Sequence, residues 1–586
     1  MRTRFLVLIA SENEEAARRK ARIRTICNGN ADLRVGIDLP NLQLLTSIGA
    51  PVRMLGRGRG AVLGPLFSRE SAQRVGILGG QWEATIDASR GGALTRDFWG
   101  DYVALIHDAD SGETHVLRAP FGSLPCLIVR QGEDVLLASD LDLLTLGGWK
   151  STGIAWDQLV LHLANRDIRN QQTCLLGVDE LRGGERASIR GSTVTLEQLW
   201  SPWDHAGRHR WESERADFVD AVRGAVSLGI SASTATADHP LLMLSGGLDS
   251  SIVAASLAAS GLQFDCLNLA STGGIGDERH HARVVADALG VPLTEALWCL
   301  DHVDVTHSDA ARMPRPSARS FMQETDRLVR EAAAAVGADL IIDGGGGDNV
   351  FCSLQSVAPV ADAILYGGDL REAWASAATV AELAQSSIAT VLTRAIQRAC
   401  RRSPRYRWPR DTRFLTDVAS NSVRLTTDHP WLEPPEGAEP GTAAHIALLA
   451  AAQSWAEGFD PMTPLAHASP LASQPVVETC LGAPSWWWFR DGRNRAVARE
   501  AFADCLPAET VRRSSKGSPD SFIAELFERN RPAIQAMLLD GHLCAQGLLD
   551  LKALGPVLDD PRPVHGGDYR RVMRLVDTEA WAANWA

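Results

Sequence analysis

Lysine is scarce in this chain of 586 residues: Lys20, Lys150, Lys516 and Lys552 stand among 58 basic residues, the other 54 being arginine. No lysine-rich patch exists, and a net charge of -13 leaves no basic footprint for a phosphate backbone, so nucleic acid is not an expected partner. Paired cysteine spacing is missing as well. The ten cysteines, at 27, 126, 174, 266, 299, 352, 400, 480, 505 and 544, form no CxxC pair and have no histidine at zinc-ligand spacing. They read as scattered reduced thiols of a cytoplasmic protein. Long apolar runs are absent: residues 443–456 are interrupted by His445 and Gln453 and fall short of the roughly 20 residues a membrane span needs, so they read as a core helix. The apolar run 5–10 is too short for a signal h-region and runs straight into charge, so secretion is not expected. No internal repeat is present.

What is there is ordinary globular text, 45% hydrophobic and 22% charged, and too long for one core. Short alternating segments with glycine turns, as at 76–82, 102–106, 115–118 and 135–138, predict a mainly β domain over residues 1–205. After Trp203 an Arg-rich stretch leads into a region, 206–586, where apolar runs alternate with helical periods: strands at 241–244, 264–269 and 339–342, helices at 250–259, 277–289 and 325–336. That alternation predicts a doubly wound parallel sheet, followed by helical text at 370–401 and from 443 onward.

The segment LLMLSGGLDSS runs an apolar strand into a tight loop and a helix N-terminus. Gly246 and Gly247 let backbone N–H groups approach an anion, Ser245, Ser250 and Ser251 add hydroxyls, and the helix dipole favours negative charge, so the loop is expected to bind pyrophosphate. A carboxylate inside such a loop, Asp249, makes sense if Mg²⁺ bridges it to the phosphates.

SGGLDSS resembles the PP-loop of the asparagine synthetase family, which includes the β-lactam synthetases and the lasso peptide cyclases. IIDGGGGDNVF, at 341–351, resembles that family's second ATP motif, Ser-Gly-Glu-Gly-x-Asp-Glu. The resemblance implies ATP and Mg²⁺ as cofactors, with Asp348 as second metal ligand beside Asp249. It places Asp343 and Gly344 at the nucleotide, and the main chain of Leu244 and Leu267 at adenine. DERHHARVVADAL is similar to the helix after the second strand. SPLASQPVVE stands where the family carries Pro-Phe-Leu-Asp and then an acidic residue, here Glu478, the nearest matched carboxylate for catalysis. Arg499 followed by LPAETVRRSSKGS resembles the closing Arg-x-Lys-x-Gly stretch, so Lys516 matches the lysine that stabilises the acyl-adenylate, a compact charge kept amid arginines.

FWGDYVALIHD, RAPFGSLPC and LLASDLDLL resemble the family's glutaminase half, an Ntn-type β sandwich. Glutamine hydrolysis there needs a cysteine whose own α-amine acts as base, whereas position 2 is Arg2 and the first cysteine is Cys27. The domain is therefore expected to make no ammonia, and the amine to come with the substrate.

Three departures bear on substrate. The second motif loses both glutamates, to Gly345 and Asn349; Gly345 also replaces the tyrosine that assists deprotonation in β-lactam synthetases; and Ser473 replaces the usual aspartate. The run Gly344 to Gly347 is expected to open space beside the adenylate, with Gly345 and Gly346 facing a bulky acceptor. DGGGGDNVFC and PLASQP look most like lasso peptide cyclases. The implied function is adenylation of an Asp or Glu side chain of a precursor peptide and closure of an isopeptide macrolactam with its N-terminal amine. A leader-binding protein and a leader peptidase would be partners. A β-lactam synthetase-like or other glutamine-independent amide synthetase, or a non-catalytic peptide-binding scaffold, remain alternatives, and the general base is not identified. Trp486, Trp487 and Trp488 read as packing. His280 and His281 lack a third metal ligand, and neighbours on a helix point apart.

Overall fold

The computed structural model describes the chain apart from residues 1–2, 12, 30–31, 70, 166, 213, 272–275, 402–403, 423–428, 459–464 and 515–516. Arg2 and Lys516 thus lie outside the described residues. The fold is mixed α/β, beginning with two six-stranded antiparallel sheets. In spatial order, the first runs Val178–Glu180, Leu127–Gln131, Asp134–Ala138, Phe5–Ile9, Leu42–Ser47, Leu33–Leu39. The second runs Thr193–Gln198, Glu185–Arg190, Glu113–Arg118, Val103–Asp108, Gly60–Leu63, Val52–Leu55. Inner faces meet in one core: Phe5, Val7 and Ile9 pack with Leu63, Leu105, Val116 and Ile189. Leu6 and Leu8, on the opposite face of the same strand, pack under the helix Glu14–Asn28 and against Phe527, Val572 and Trp581 of the C-terminal helices. A strand buried on both faces has no polar alternation, which is why residues 5–10 look like an apolar run. Residues 76–82 are not a strand: they lead into the helix Gly80–Ala88, where Ile86 is buried and the Trp82 ring meets the Phe98 ring edge-on.

The second part is a five-stranded parallel sheet: β1 (Pro240–Met243), β2 (Asp265–Ala270), β3 (Leu293–Leu297), β4 (Leu340–Ile342) and β5 (Ala466–Ala468), in the order β3-β2-β1-β4-β5. Leu242 and Cys266 point into one core with α1 (Leu248–Ser260) and α2 (Arg279–Leu289), while Leu241, Leu267 and Ile341 point into another with α3 (Met322–Val336). Helices on both faces explain why the strands read as short continuous apolar runs. Later elements complete the site: α4 (Gly347–Val350), α5 (Pro440–Ala456), α6 (Gln474–Cys480), α7 (Ala496–Ala501) and α8 (Ala508–Arg512).

The two parts share cores. Phe121, Ile168 and Trp200 enter the largest cluster of the second part. Buried ion pairs also cross: Arg315 reaches Glu180, and Arg118 reaches Glu457 at 2.8 Å. Among the described residues no helix is long and apolar enough to cross a membrane.

Candidate functional site

β1 delivers the chain to the C-terminal edge of the sheet, where the Leu244 N–H donates to Leu267 C=O at 2.9 Å and the Asn268 amide donates to Leu244 C=O at 2.8 Å. These bonds fix the two leucines before the turn. The loop then closes on itself: Gly247 N–H donates to Ser245 Oγ at 3.2 Å, Ser245 N–H to Ser250 Oγ at 3.2 Å, and Ser251 Oγ–H to Gly247 C=O at 2.7 Å. Gly246 adopts φ 68°, and a Cβ there would stand 2.5 Å from the Ala282 nitrogen, so the loop lies directly on the backbone of α2. The first N–H groups of an α-helix have no intrahelical acceptor, which suits the terminus of α1 to an anion.

The glycine run of the second motif lies against this loop. A Cβ on Gly344 would come within 2.6 Å of Ser250 N, one on Gly347 within 2.6 Å of Asp249 Cγ, and one on Gly346, at φ 78°, within 2.9 Å of Ala472 Cβ. A Cβ on Gly345 would strike the Trp455 ring and lie 2.8 Å from Asp343 Oδ1. The expectation of open space at Gly345 and Gly346 is therefore corrected: these are close-approach glycines, and the indole of Trp455 from α5 occupies the side that a larger residue would fill.

Asp249 and Asp348 converge on one atom. Arg495 Nη1 stands 3.0 Å from both Asp249 oxygens and 2.6 Å from Asp348 Oδ1. Burial works against the Arg495 charge, yet the two carboxylates raise its pKa. Two hard oxygen ligands aimed at a common point beside an anion site fit Mg²⁺, with the guanidinium standing where a cation would sit. Arg495 was not legible in the sequence as a site residue, since nothing marks it among 54 arginines. Replacing it with Ala removes the cation that both carboxylates share; in metal-free buffer the variant is expected to lose about 2–4 kcal/mol of stability. Mg²⁺ should restore much of this, and denaturant melts with and without Mg²⁺ check it; a melt insensitive to both changes contradicts the convergence.

Asp343 is half-buried at the end of β4. Burial opposes its charge, but His467 Nε2 at 2.9 Å, Ser469 Oγ at 2.7 Å and Gly345 N at 2.8 Å hold its carboxyl below the usual range. His467 and Ser469 line a cavity of about 510 Å³ between the two parts, together with Ser473, Gln474, Arg74, Trp99 and Thr3.

Glu478 is corrected from catalytic carboxylate to anchor. Arg69 pairs with it, Trp200 Nε1 donates at 2.7 Å, Gln474 at 2.8 Å, and His205 Nε2 lies at 3.3 Å. These partners come from the first part, the connecting segment and its own helix, and together they tie the carboxylate into the junction of the two parts. Glu478→Gln is expected to cost about 2 kcal/mol in a denaturant melt while pyrophosphate exchange stays within roughly threefold of the parent.

Lys516 is flanked by described residues tied to one carboxylate at the start of α2: Arg513 Nη2 at 2.7 Å and Gly517 N at 2.9 Å from Glu278 Oε1. Arg499 is buried, donates to Asn494 and Val511 carbonyls, and is pushed down to about 10 by burial and by Arg495 and Arg493. It braces the closing segment. Trp486 and Trp488 are buried and Trp487 packs beside them, as packing residues. His280 and His281 do gain a third potential ligand, Glu509 of α8, 3.3 and 2.9 Å away. Sequence spacing could not reveal it, because it lies more than two hundred residues downstream. In the first part, Cys27, Cys126 and Cys174 are all buried.

A family model described as asparagine synthase matches residues 230–583. Carboxyethyl-arginine beta-lactam-synthase of Streptomyces clavuligerus is 27% identical over 232 residues, a match spanning 35% of this chain and 44% of that protein. The chain thus spans less than half the length of this curated relative. Two solved structures align at 10% identity: an allosteric regulatory enzyme of purine biosynthesis (50% of this chain, 80% of that one, TM-score 0.23) and the B. subtilis glutamine phosphoribosylpyrophosphate amidotransferase complexed with ADP and GMP (59% and 77%, TM-score 0.21). At those scores they bear no weight. The family match covers more than half of the chain and contains the loop, both converging aspartates and the closing segment: this chain belongs to the asparagine synthase family.

Proposed function

We propose that this protein is an ATP-dependent, AMP-forming carbon–nitrogen ligase, and within that class a lasso peptide cyclase. The observation that carries the ligase reading is the convergence of Asp249 and Asp348 beside the N-terminus of α1. In this reading the loop N–H groups and the Ser245, Ser250 and Ser251 hydroxyls hold the pyrophosphate of ATP. Mg²⁺, when bound by Asp249 and Asp348, would offset its charge. A substrate carboxylate attacks the α-phosphorus, the bond to pyrophosphate breaks, and an acyl-AMP results. An amine nitrogen then attacks the acyl carbon, loses one proton, and AMP leaves with the C–O bonding pair. Lys516 is assigned to the developing negative charge by resemblance.

The peptide substrate rests on the likeness of DGGGGDNVFC and PLASQP to the cyclases and on the cavity, whose volume of about 510 Å³ suits a drug-sized ligand or a short peptide turn. With amine and carboxylate on one chain, orientation supplies much of the rate. The first part makes no ammonia in this reading, and a leader-binding protein and a leader peptidase would deliver the peptide. A second reading, a β-lactam synthetase-like enzyme acting on a small substrate, is favoured by the Streptomyces relative. Pyrophosphate exchange with synthetic peptides carrying a free N-terminus and one Asp or Glu, against a panel of small amino-substituted acids, separates them. Exchange with acids alone would replace the cyclase reading by the second.

A further inference from the structure

We propose that His280, His281 and Glu509 form a second metal site, which takes a divalent transition ion of the zinc class and clips the closing segment onto α2. It is separate from the two aspartates that suit Mg²⁺, and it is independent of the reaction catalysed.

Geometry comes first. His280 and His281 stand in the first turn of α2 and Glu509 in the first turn of α8, which packs against α1. One carboxylate oxygen, Glu509 Oε1, lies 2.9 Å from His281 Nδ1 and 3.3 Å from His280 Nε2. Neighbouring side chains leave a helix in different directions, yet these two meet the same atom because one uses its near ring nitrogen and the other its far one. The ring centroids are 5.3 Å apart with planes at 62°. All three ligand atoms fall within 4.8 Å of one another. With metal–ligand bonds of about 2.0–2.1 Å, neighbouring corners of a tetrahedron stand about 3.3 Å apart, so the two contacts to Glu509 are already near the spacing an ion imposes. His280 and Glu509 are exposed and have room to close the third edge by rotation, while the half-buried His281 is the fixed corner. The fourth corner is left to water.

Chemistry comes second. The charged groups around this end of α2 have partners of their own: Arg279 pairs with Asp277 at 2.7 Å, Arg283 with Glu295, and Arg513 with Glu278 at 2.7 Å. Among the described residues the ion-pair partners of Glu509 are the two imidazoles, and neither imidazole is engaged in a hydrogen bond elsewhere. Two imidazole nitrogens and one carboxylate are a donor set that Zn²⁺ takes with three protein ligands, whereas Mg²⁺ prefers oxygen alone, so the two sites sort their ions by ligand type. The position gives the ion a mechanical role. A Cβ on Gly246 would stand 2.3 Å from the His281 carbonyl carbon, so the backbone that bears the ligand also bears the pyrophosphate loop. Glu278 already ties Arg513 and Gly517 to the start of α2. An ion at Glu509 would add a second fastening, four residues before Arg513.

The test uses the whole chain, stripped with a chelator and returned to buffer with excess Mg²⁺. Zn²⁺ binding is followed by titration calorimetry and Co²⁺ binding by its visible d–d bands. The parent is expected to take one Zn²⁺ per chain with micromolar affinity. His280→Gln, His281→Gln and Glu509→Gln should each weaken binding by at least roughly 10-fold, with thermal melts in chelator unchanged. Zn²⁺ should also slow tryptic cleavage after Arg512 and Arg513 several-fold in the parent and not in Glu509→Gln, since a ligand stabilises the state that binds it. A parent that takes up no Zn²⁺ well above micromolar concentration overturns the site and leaves an ion pair only. Binding that survives all three substitutions places the ion on other residues and overturns it as well. Binding that needs the three residues but leaves cleavage unchanged overturns the clip.

Discussion

Asp249→Ala and Asp348→Ala are each expected to reduce ATP–pyrophosphate exchange at least 10³-fold, about 4 kcal/mol of transition-state stabilisation. Both carboxylates meet at Arg495 Nη1, so losing either leaves a single oxygen ligand set against the charge of a polyphosphate. The two variants should differ in the free protein. Asp249 is buried within the first turn of α1 and touches Gly347, so its removal leaves a void under the second motif; Asp348 is more exposed, and its loss should disturb the fold less. Equal loss of exchange with unequal loss of stability is the expected pattern, read by exchange assays beside denaturant melts. Normal exchange in either variant contradicts the shared-ligand assignment.

Gly246→Ala is expected to lose exchange by more than roughly 100-fold while the protein stays folded. Its φ of 68° costs any L side chain about 1 kcal/mol, and the added Cβ meets backbone of α2, which has no rotamer to yield. The loop must lift off α2, and its N–H groups then no longer converge. Gly247→Ala is the control: that residue has an ordinary φ of -74°, and its Cβ would meet only the Ser245 hydroxyl at 3.2 Å. A loss of only a few-fold is expected there. If the two alanines behave alike in exchange and circular dichroism, the fit of loop on helix does not control the site.

These variants also show what the sequence could and could not reveal. The strand–loop–helix turn at 244–251 was readable because its signals are local: a strand end, two glycines, three hydroxyls and a helix start lie within a dozen residues. Asp348 was readable for a similar reason, on a motif following a strand. Arg495 was not, because its role arises from a contact across 246 residues. β5 was equally hidden: Ala-His-Ala has no strand signature, and its pairing with β4 comes from chain more than a hundred residues away. The glycine run misled for a specific physical reason. Missing side chains can signal either empty space or close approach, and only the positions of Ser250, Trp455 and Ala472 decide between them. Glu478 shows the converse, a matched carboxylate whose partners Arg69 and Trp200 come from elements that no local motif describes.

The central claim, activation of a carboxylate by transfer of AMP, is tested most directly by isotope. A peptide or small acid that supports turnover is synthesised with ¹⁸O in its reacting carboxylate and converted with ATP, and the nucleotide and phosphate products are analysed by mass. If the carboxylate attacks the α-phosphorus, one ¹⁸O appears in AMP, the amide keeps the other, and pyrophosphate carries none. Appearance of the label in inorganic phosphate, with ADP as the nucleotide product, would place the attack on the γ-phosphorus and contradict the account.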